Sequence, residues 1–280
     1  MDQVMTGAAE LDALIPELWA AAFYPTLMES LPFNSSVRSD YEGVIAALGD
    51  TVKISTIPQF DVATELAEDE KNDADSVTVA STSLIINKQI VKDYIMTNKA
   101  QTQSLDAMSA LRDLALHALL KKMQQVIIAE VVPNAATPDH SIAYTSATTL
   151  ALADIIAIKR LLDAANVPDD GSRTMISGTS QWNDLFNITG FVSRDYVPAA
   201  NAMSSGAIAT PVLGFQPKYT TEVGNVSYFF HPMFLQMAVQ QSPTVELFNL
   251  GGEGKRAKRV NVTALFGVKQ MDGLRVATLS

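Results

Sequence analysis

Three histidines, His117, His140 and His231, and a complete lack of cysteine bound the chemistry available to this 280-residue chain. Without cysteine there is no thiolate nucleophile, no thiolate metal ligand and no disulfide framework, and the redox compartment is left open. A serine hydrolase would have to recruit Asp139 and His140, yet adjacent loop residues cannot themselves form a triad, and no G-x-S-x-G elbow precedes a helix. Catalytic zinc needs three or four ligands at workable spacing, and the sequence offers neither H-E-x-x-H nor clustered histidines. His117 sits in an apolar periodic stretch and His231 precedes Pro232, so both read as structural residues. The expectation is a non-enzyme with no cofactor and no metal.

Two charged segments invite ligand readings. Between positions 58 and 76 stand Asp61, Glu65, Glu68, Asp69, Glu70, Asp73 and Asp75, against Lys71 alone. The D-x-[DN]-x-[DN]-G spacing of a calcium loop is missing, so the segment reads as a solvated loop tip. Gly251-Gly252-Glu253-Gly254-Lys255 looks like a phosphate loop only in part, because Asn249 stands where the first glycine belongs and Arg256 where the hydroxyl belongs. Lys255, Arg256, Lys258 and Arg259 form a dense basic cluster. Four cations would give phosphate only a modest, salt-sensitive hold, and a carboxylate-pairing surface on a partner subunit is the preferred reading.

The overall balance points the same way. Lys plus Arg number 20 against 30 Asp plus Glu, a net charge of −10, which argues against a dedicated nucleic-acid grip. Hydrophobic residues make up 48% and charged residues 18%, below the usual share of about 25%. That composition excludes disorder and suits a subunit that hides surface against copies of itself. The amino end lacks a basic leader region, and its apolar stretch from Leu18 to Met28 is broken by Pro25 and far short of the ~20 residues that span a bilayer. Neither secretion nor membrane insertion is expected.

The elements that must position these residues follow from periodicity. Residues 1 to 40 carry Leu14, Ile15, Leu18, Trp19, Ala22, Phe23, Leu27 and Met28 at helix-like steps, interrupted by Pro16, Pro25 and Pro32. This is an arm of short pieces whose aromatics must pack on something else, either this subunit or a neighbour. Thr51 to Ile57 and Val77 to Ser81 alternate as the arms of a long hairpin, followed by Leu84, Ile85 and Ile86. From Ser104 to Val131, Leu105, Met108, Leu111, Ala115, Leu119, Met123, Val126 and Ile127 predict a long helix, with Ser104 as N-cap and Pro133 as its stop. A second helix spans about Leu150 to Asn166, a short strand Thr174 to Ser177, and a third helix starts near Thr179 with Trp182, Leu185 and Phe186. A strand is expected at Val226 to Phe230. Val260, Val262, Ala264, Phe266 and Val268 alternate strictly, and Asp272-Gly273 predicts a two-residue hairpin into Leu274 to Leu279. The fold class is α+β with antiparallel strands.

Several stretches in this order carry a resemblance: Asn34-Ser35-Ser36-Val37-Arg38-Ser39-Asp40-Tyr41-Glu42-Gly43 after the aromatic arm, and Gly49-Asp50-Thr51-Val52-Lys53-Ile54 leading into the hairpin. Leu161 to Pro168 with Arg173 to Ser177, Pro211-Val212-Leu213-Gly214-Phe215 and the strand Val262 to Val268 complete the set. The chain resembles tailed-phage major capsid proteins of the Hong Kong 97 (HK97) fold over nearly its whole length. The resemblance implies an N-terminal arm at about residues 1–35 and an extended hairpin, the E-loop, at 50–95, with 36–49 as connection. It further implies a peripheral (P) domain at 96–146 and 255–280 built on a long spine helix, and an axial (A) domain at 147–254.

The implied function is a shell subunit that self-assembles, through hexameric and pentameric capsomers and a scaffold-assisted procapsid, into the icosahedral capsid of a virion. The partners implied are the chain itself, a separate scaffolding protein, a portal, and double-stranded DNA enclosed without sequence-specific binding. Assembly is expected in the host cytoplasm, with no membrane involved. A separate scaffold is expected because the arm begins within about fifteen residues of Met1, and no local motif marks isopeptide cross-linking. Interfaces are expected at Trp19, Phe23 and Leu27 of the arm, and between Glu65, Glu68, Asp69 and Glu70 of the hairpin and Lys255, Arg256, Lys258 and Arg259 of a neighbour. Two independently solvated charge runs are the competing reading of the last pair. An encapsulin-like nanocompartment shell, and an acidic oligomeric enzyme, are the alternative functions.

Overall fold

The computed structural model describes residues 28–40, 51–57, 63, 65, 76–98, 107–188, 211–250 and 256–280. Among them the longest helix, α1, spans Ala107–Ala129, 23 residues or about 35 Å. Its interior contains no Gly or Pro, and Ala115, Leu119, Met123 and Ile127, four residues apart, are buried on one face. Ser104, the expected N-cap, lies outside the described residues. Leu111 corrects the expected stripe: it is 38% exposed, because the sheet beneath the helix covers only the turns from Ala115 onward.

That sheet has three antiparallel strands in the order β3 (Lys88–Thr97), β9 (Ala257–Gln270), β8 (Leu235–Asn249). The central strand alternates as its sequence predicts, with Val262, Ala264, Phe266 and Val268 in the core under α1. The β8 register shifts between Val239 and Gln241 and again before Thr244, around Pro243, whose missing donor is tolerated on an edge strand. A hairpin of β1 (Thr51–Thr56) and β2 (Ala80–Ile85) pairs Thr51 with Ile85 and Thr56 with Ala80. The hairpin is as expected, but its second arm begins at Ala80 rather than Val77. Its base lies over β9, where Leu84 and Ile86 pack with Ala238 and Leu265. Gly267 permits this crossing, since a Cβ there would lie 2.4 Å from the Ile85 carbonyl oxygen.

A second, mixed sheet runs in the order β4 (Ser141–Ile142), β10 (Val276–Leu279), β7 (Ser227–Phe230), β5 (Thr174–Ser177), β6 (Gln216–Tyr219). Its two faces feed two cores. Ile176, Phe230 and Val276 join α1 in the first, whereas Met175, Phe229, Ala277 and Leu279 pack in the second. Helix α2 (Leu152–Ala164) brings Ile155, Ile158 and Leu162 to that second core, and the short helix α3 (Thr179–Asp184) follows β5 directly. The Asp154 carboxylate opens α2 by accepting from the backbone of Ala151 at 3.0 Å and of Thr145 at 3.2 Å.

The Asp272-Gly273 expectation is overturned. Asp272 Oδ1 accepts from the Leu274 N–H at 2.9 Å and Oδ2 from Arg275 Nε at 3.0 Å, closing a 3-10 turn at Gly273–Arg275 in place of a two-residue hairpin. The physical reason is that both edges of β9 are already paired, with β3 and β8. Every residue of β10 is buried, so the strand takes an interior position between β4 and β7 in the other sheet.

Candidate assembly surfaces

Each of the three histidines contacts the backbone of a distant or neighbouring segment. His140 Nδ1 is 3.0 Å from the Val276 carbonyl, and its own carbonyl accepts from Thr278 N at 2.9 Å, stitching the start of β4 to β10. His117 Nε2 faces the Glu29 carbonyl at 3.1 Å, and His231 Nδ1 accepts from Met233 N at 3.3 Å to cap a 3-10 turn at Pro232–Phe234. Asp170, whose carboxyl is held down at about 2 by the hydroxyl and then the N–H of Ser172, stands 3.5 Å from His231 Nε2. No group of His, Asp and Glu among the described residues could hold a metal ion.

The best-built polar site ties the segment around Glu29 to α1. Lys121 on α1 lies between the carboxylates of Glu29 at 2.6 Å and Glu222 at 2.8 Å. Thr221 Oγ1 donates to Glu29 and Gln125 Nε2 to Glu222, each at 2.8 Å. The hydrogen bonds from Lys121 and then Thr221 hold the Glu29 carboxyl below the ordinary range, and Glu222 and then Glu29 raise the Lys121 ammonium. Beneath this triad the buried Gln124 donates to Thr220 at 3.2 Å and accepts from the Phe33 N–H at 3.3 Å. Phe33 is fully buried, stacked 5.8 Å from Phe230 and edge-on to Tyr228 at 5.5 Å. Sequence periodicity marked the aromatics further upstream; Trp19, Phe23 and Leu27 lie outside the described residues. Glu29, Lys121 and Glu222 carried no local signal, since their meeting depends on three distant segments.

The second surface is the far end of the three-stranded sheet. Leu247 is 57% and Phe248 47% exposed on β8, and Ile95 is 62% exposed on β3. By register Ile95, Arg259 and Phe248 share the face turned away from α1, with Leu247 opposite Val260 on the helix side. This half of β8 is therefore an edge strand that shows large apolar side chains on both faces, covered on neither by the described residues, the kind of edge that invites another chain.

Arg256 precedes β9, and Lys258 and Arg259 stand on its opposite faces. Arg259 is already engaged within the subunit, its guanidinium on the Asp93 carboxylate with Nε at 3.1 Å. Asp93 was not marked in the sequence, but it becomes legible once β3 and β9 are paired. Glu65 is exposed, while Glu68, Asp69, Glu70 and Lys255 lie outside the described residues, so the expected pairing of the two charge runs is not addressed by the described residues. No described helix is long and apolar enough to cross a membrane.

A profile of the family described as phage capsid protein matches residues 45–278. The chain is similar in fold to a solved structure from Mycobacterium phage Che8, with a TM-score of 0.74 and 21% identity over 95% of this chain and 97% of that one. It is likewise similar to the capsid of cyanophage P-SCSP1u, with a TM-score of 0.74 and 13% identity over 98% and 94% of the two chains. The capsid of cyanophage Pam1 gives 0.71 and 13% over 100% and 98%. No curated protein matches the chain in sequence.

Proposed function

The chain belongs to the phage capsid protein family, and on that premise we propose that it is the major capsid protein of a tailed phage, assembling through capsomers into the icosahedral shell around double-stranded DNA. The observation that carries this reading is the family match across residues 45–278. The exposed sheet end agrees with it, because Leu247, Phe248 and Ile95 are poorly suited to a monomer and well suited to a lattice. In this reading residues 1–35 are the arm, 50–95 the E-loop, 96–146 and 255–280 the P domain with α1 as spine, and 147–254 the A domain. The net charge of −10 suits a wall that does not grip the duplex it encloses, since strong binding would hinder packing and exit. A separate scaffolding protein and a portal complete the assembly in the host cytoplasm.

The interface residues belong to the same proposal. Trp19, Phe23 and Leu27 pack on neighbouring copies, and the acids Glu65, Glu68, Asp69 and Glu70 meet Lys255, Arg256, Lys258 and Arg259 of a neighbouring copy. Negative-stain microscopy of the expressed chain, alone and with the scaffold encoded beside it, tests the function. Closed shells or ring-shaped capsomers are expected, and a monodisperse small oligomer under every condition would refute it.

A further inference from the structure

Lys218 lies in β6, the edge strand of the five-stranded sheet, on a cleft of about 350 Å³. Ser30, Pro32 and Ser35 of the arm root form one wall, and Pro217, Lys218 and Tyr219 the other. The Lys218 ammonium donates to Ser36 Oγ at 2.7 Å, while the Ser36 hydroxyl donates to the Pro32 carbonyl at 2.7 Å. An ammonium has three N–H donors, and a serine oxygen neutralises no charge. Several other half-buried or buried cations are paired: Lys121 holds Glu29 and Glu222, Lys159 holds Asp163 and Asp169, and Arg173 holds Asp163. For Lys218 no ion pair is formed among the described residues, and burial pushes its pKa below the ordinary lysine value.

We propose that the cleft at Lys218 receives an aspartate or glutamate side chain from a second copy of this chain when the shell forms. Charge complementarity identifies the occupant: a half-buried cation without a counter-ion is costly, and the chain supplies 30 carboxylates against 20 Lys and Arg. Pro217 favours a side chain over a docking strand, because it removes a donor that strand addition along β6 would use. The cleft also borders the arm root, so its occupancy reports on how the arm leaves the subunit. The inference rests on the self-assembly proposed above.

The test is zero-length carbodiimide cross-linking of particles assembled from a mixture of ordinary and nitrogen-15-labelled chains, read by mass spectrometry. An amide between Lys218 and an acidic peptide of the other isotope is expected in particles and absent from dissociated subunits. Lys218→Ala is expected to raise the critical concentration for assembly about tenfold, as for loss of one charge-assisted hydrogen bond between copies, with Lys218→Arg retaining assembly, while losing the Ser36 contact lowers the melting temperature of the Lys218→Ala subunit only slightly. Particles in which Lys218 forms no inter-chain link and is acetylated as fast as in free subunits overturn this inference alone. A wild-type chain that never assembles overturns the shell reading and this inference with it.

Discussion

Replacing Phe33 by Ala tests whether residues 28–38 belong to the subunit core, apart from the upstream residues proposed above to reach neighbouring copies. The ring is fully buried among Phe230 and Tyr228, and its backbone N–H is held by the buried Gln124. Truncating a buried Phe costs about 3–5 kcal/mol through lost transfer energy and the cavity left behind. Two aromatic contacts place the loss toward the upper part of that range. At about 2 °C per kcal/mol for a chain of this size, the subunit's melting temperature should fall by roughly 6–10 °C. The assay is thermal unfolding of dissociated subunits followed by near-ultraviolet circular dichroism. Deletion of residues 1–27 is the control, expected to leave that transition in place while abolishing stable shells. A Phe33→Ala subunit that melts within about 1 °C of the wild type would refute the assignment of residues 28–38 to the subunit core.

On α1, Leu119→Asp should prevent folding, since a charge at a position 1% exposed has no water to solvate it, whereas Leu111→Asp should fold because that side chain is 38% exposed; soluble expression and melting distinguish them. Gly267→Val should destabilise the hairpin seat, because its Cβ would lie 2.4 Å from the Ile85 carbonyl oxygen, and proteolysis between β1 and β2 should accelerate. Glu29 and Asp170 both have folded pKa values below their ordinary 4.5 and 3.8, so their stabilisation is present above those values and is lost as pH falls through the folded ones, about 2 for Asp170; acid unfolding of Glu29→Gln should show a shallower loss. Changing Glu65, Glu68, Asp69 and Glu70 to Lys should impair assembly, and adding Glu at Lys255, Arg256, Lys258 and Arg259 should partly restore it, judged by particle yield across a salt series.

Local periodicity made much of the frame legible. Four-residue spacing fixed α1, alternation fixed β1 and β9, and the burial of Thr174 to Ser177 matches a short apolar strand bounded by turns. What escaped was decided by competition between distant segments. Asp272-Gly273 has the chemistry of a hairpin turn, but β9 had no free edge to offer, and a fully buried β10 needed partners on both sides. Leu111 fits the stripe of its helix, yet the stripe extends beyond the sheet that should cover it. The Glu29, Lys121 and Glu222 triad joins residues that only the folded chain makes neighbours, and so does the pairing of Arg259 with Asp93.

The exposed surfaces also account for why subunits would stay apart until a lattice closes. Burying Ile95, Leu247 and Phe248 gains about 1.5–3 kcal/mol for each side chain. Association of two bodies costs an estimated 4–15 kcal/mol in translational and rotational freedom, a cost of the same order as the gain from this patch, so the patch alone favours only weak association. Pro243 and the β8 register shifts further spoil the edge as a template for indiscriminate strand addition. A subunit that adds the arm, the sheet end, the charge runs and the Lys218 cleft to several neighbours at once meets the entropic cost once while collecting every contact. Weak surfaces of this kind make assembly cooperative: stable as a closed shell, reversible as fragments, and sensitive at each step to salt and to loss of any one surface.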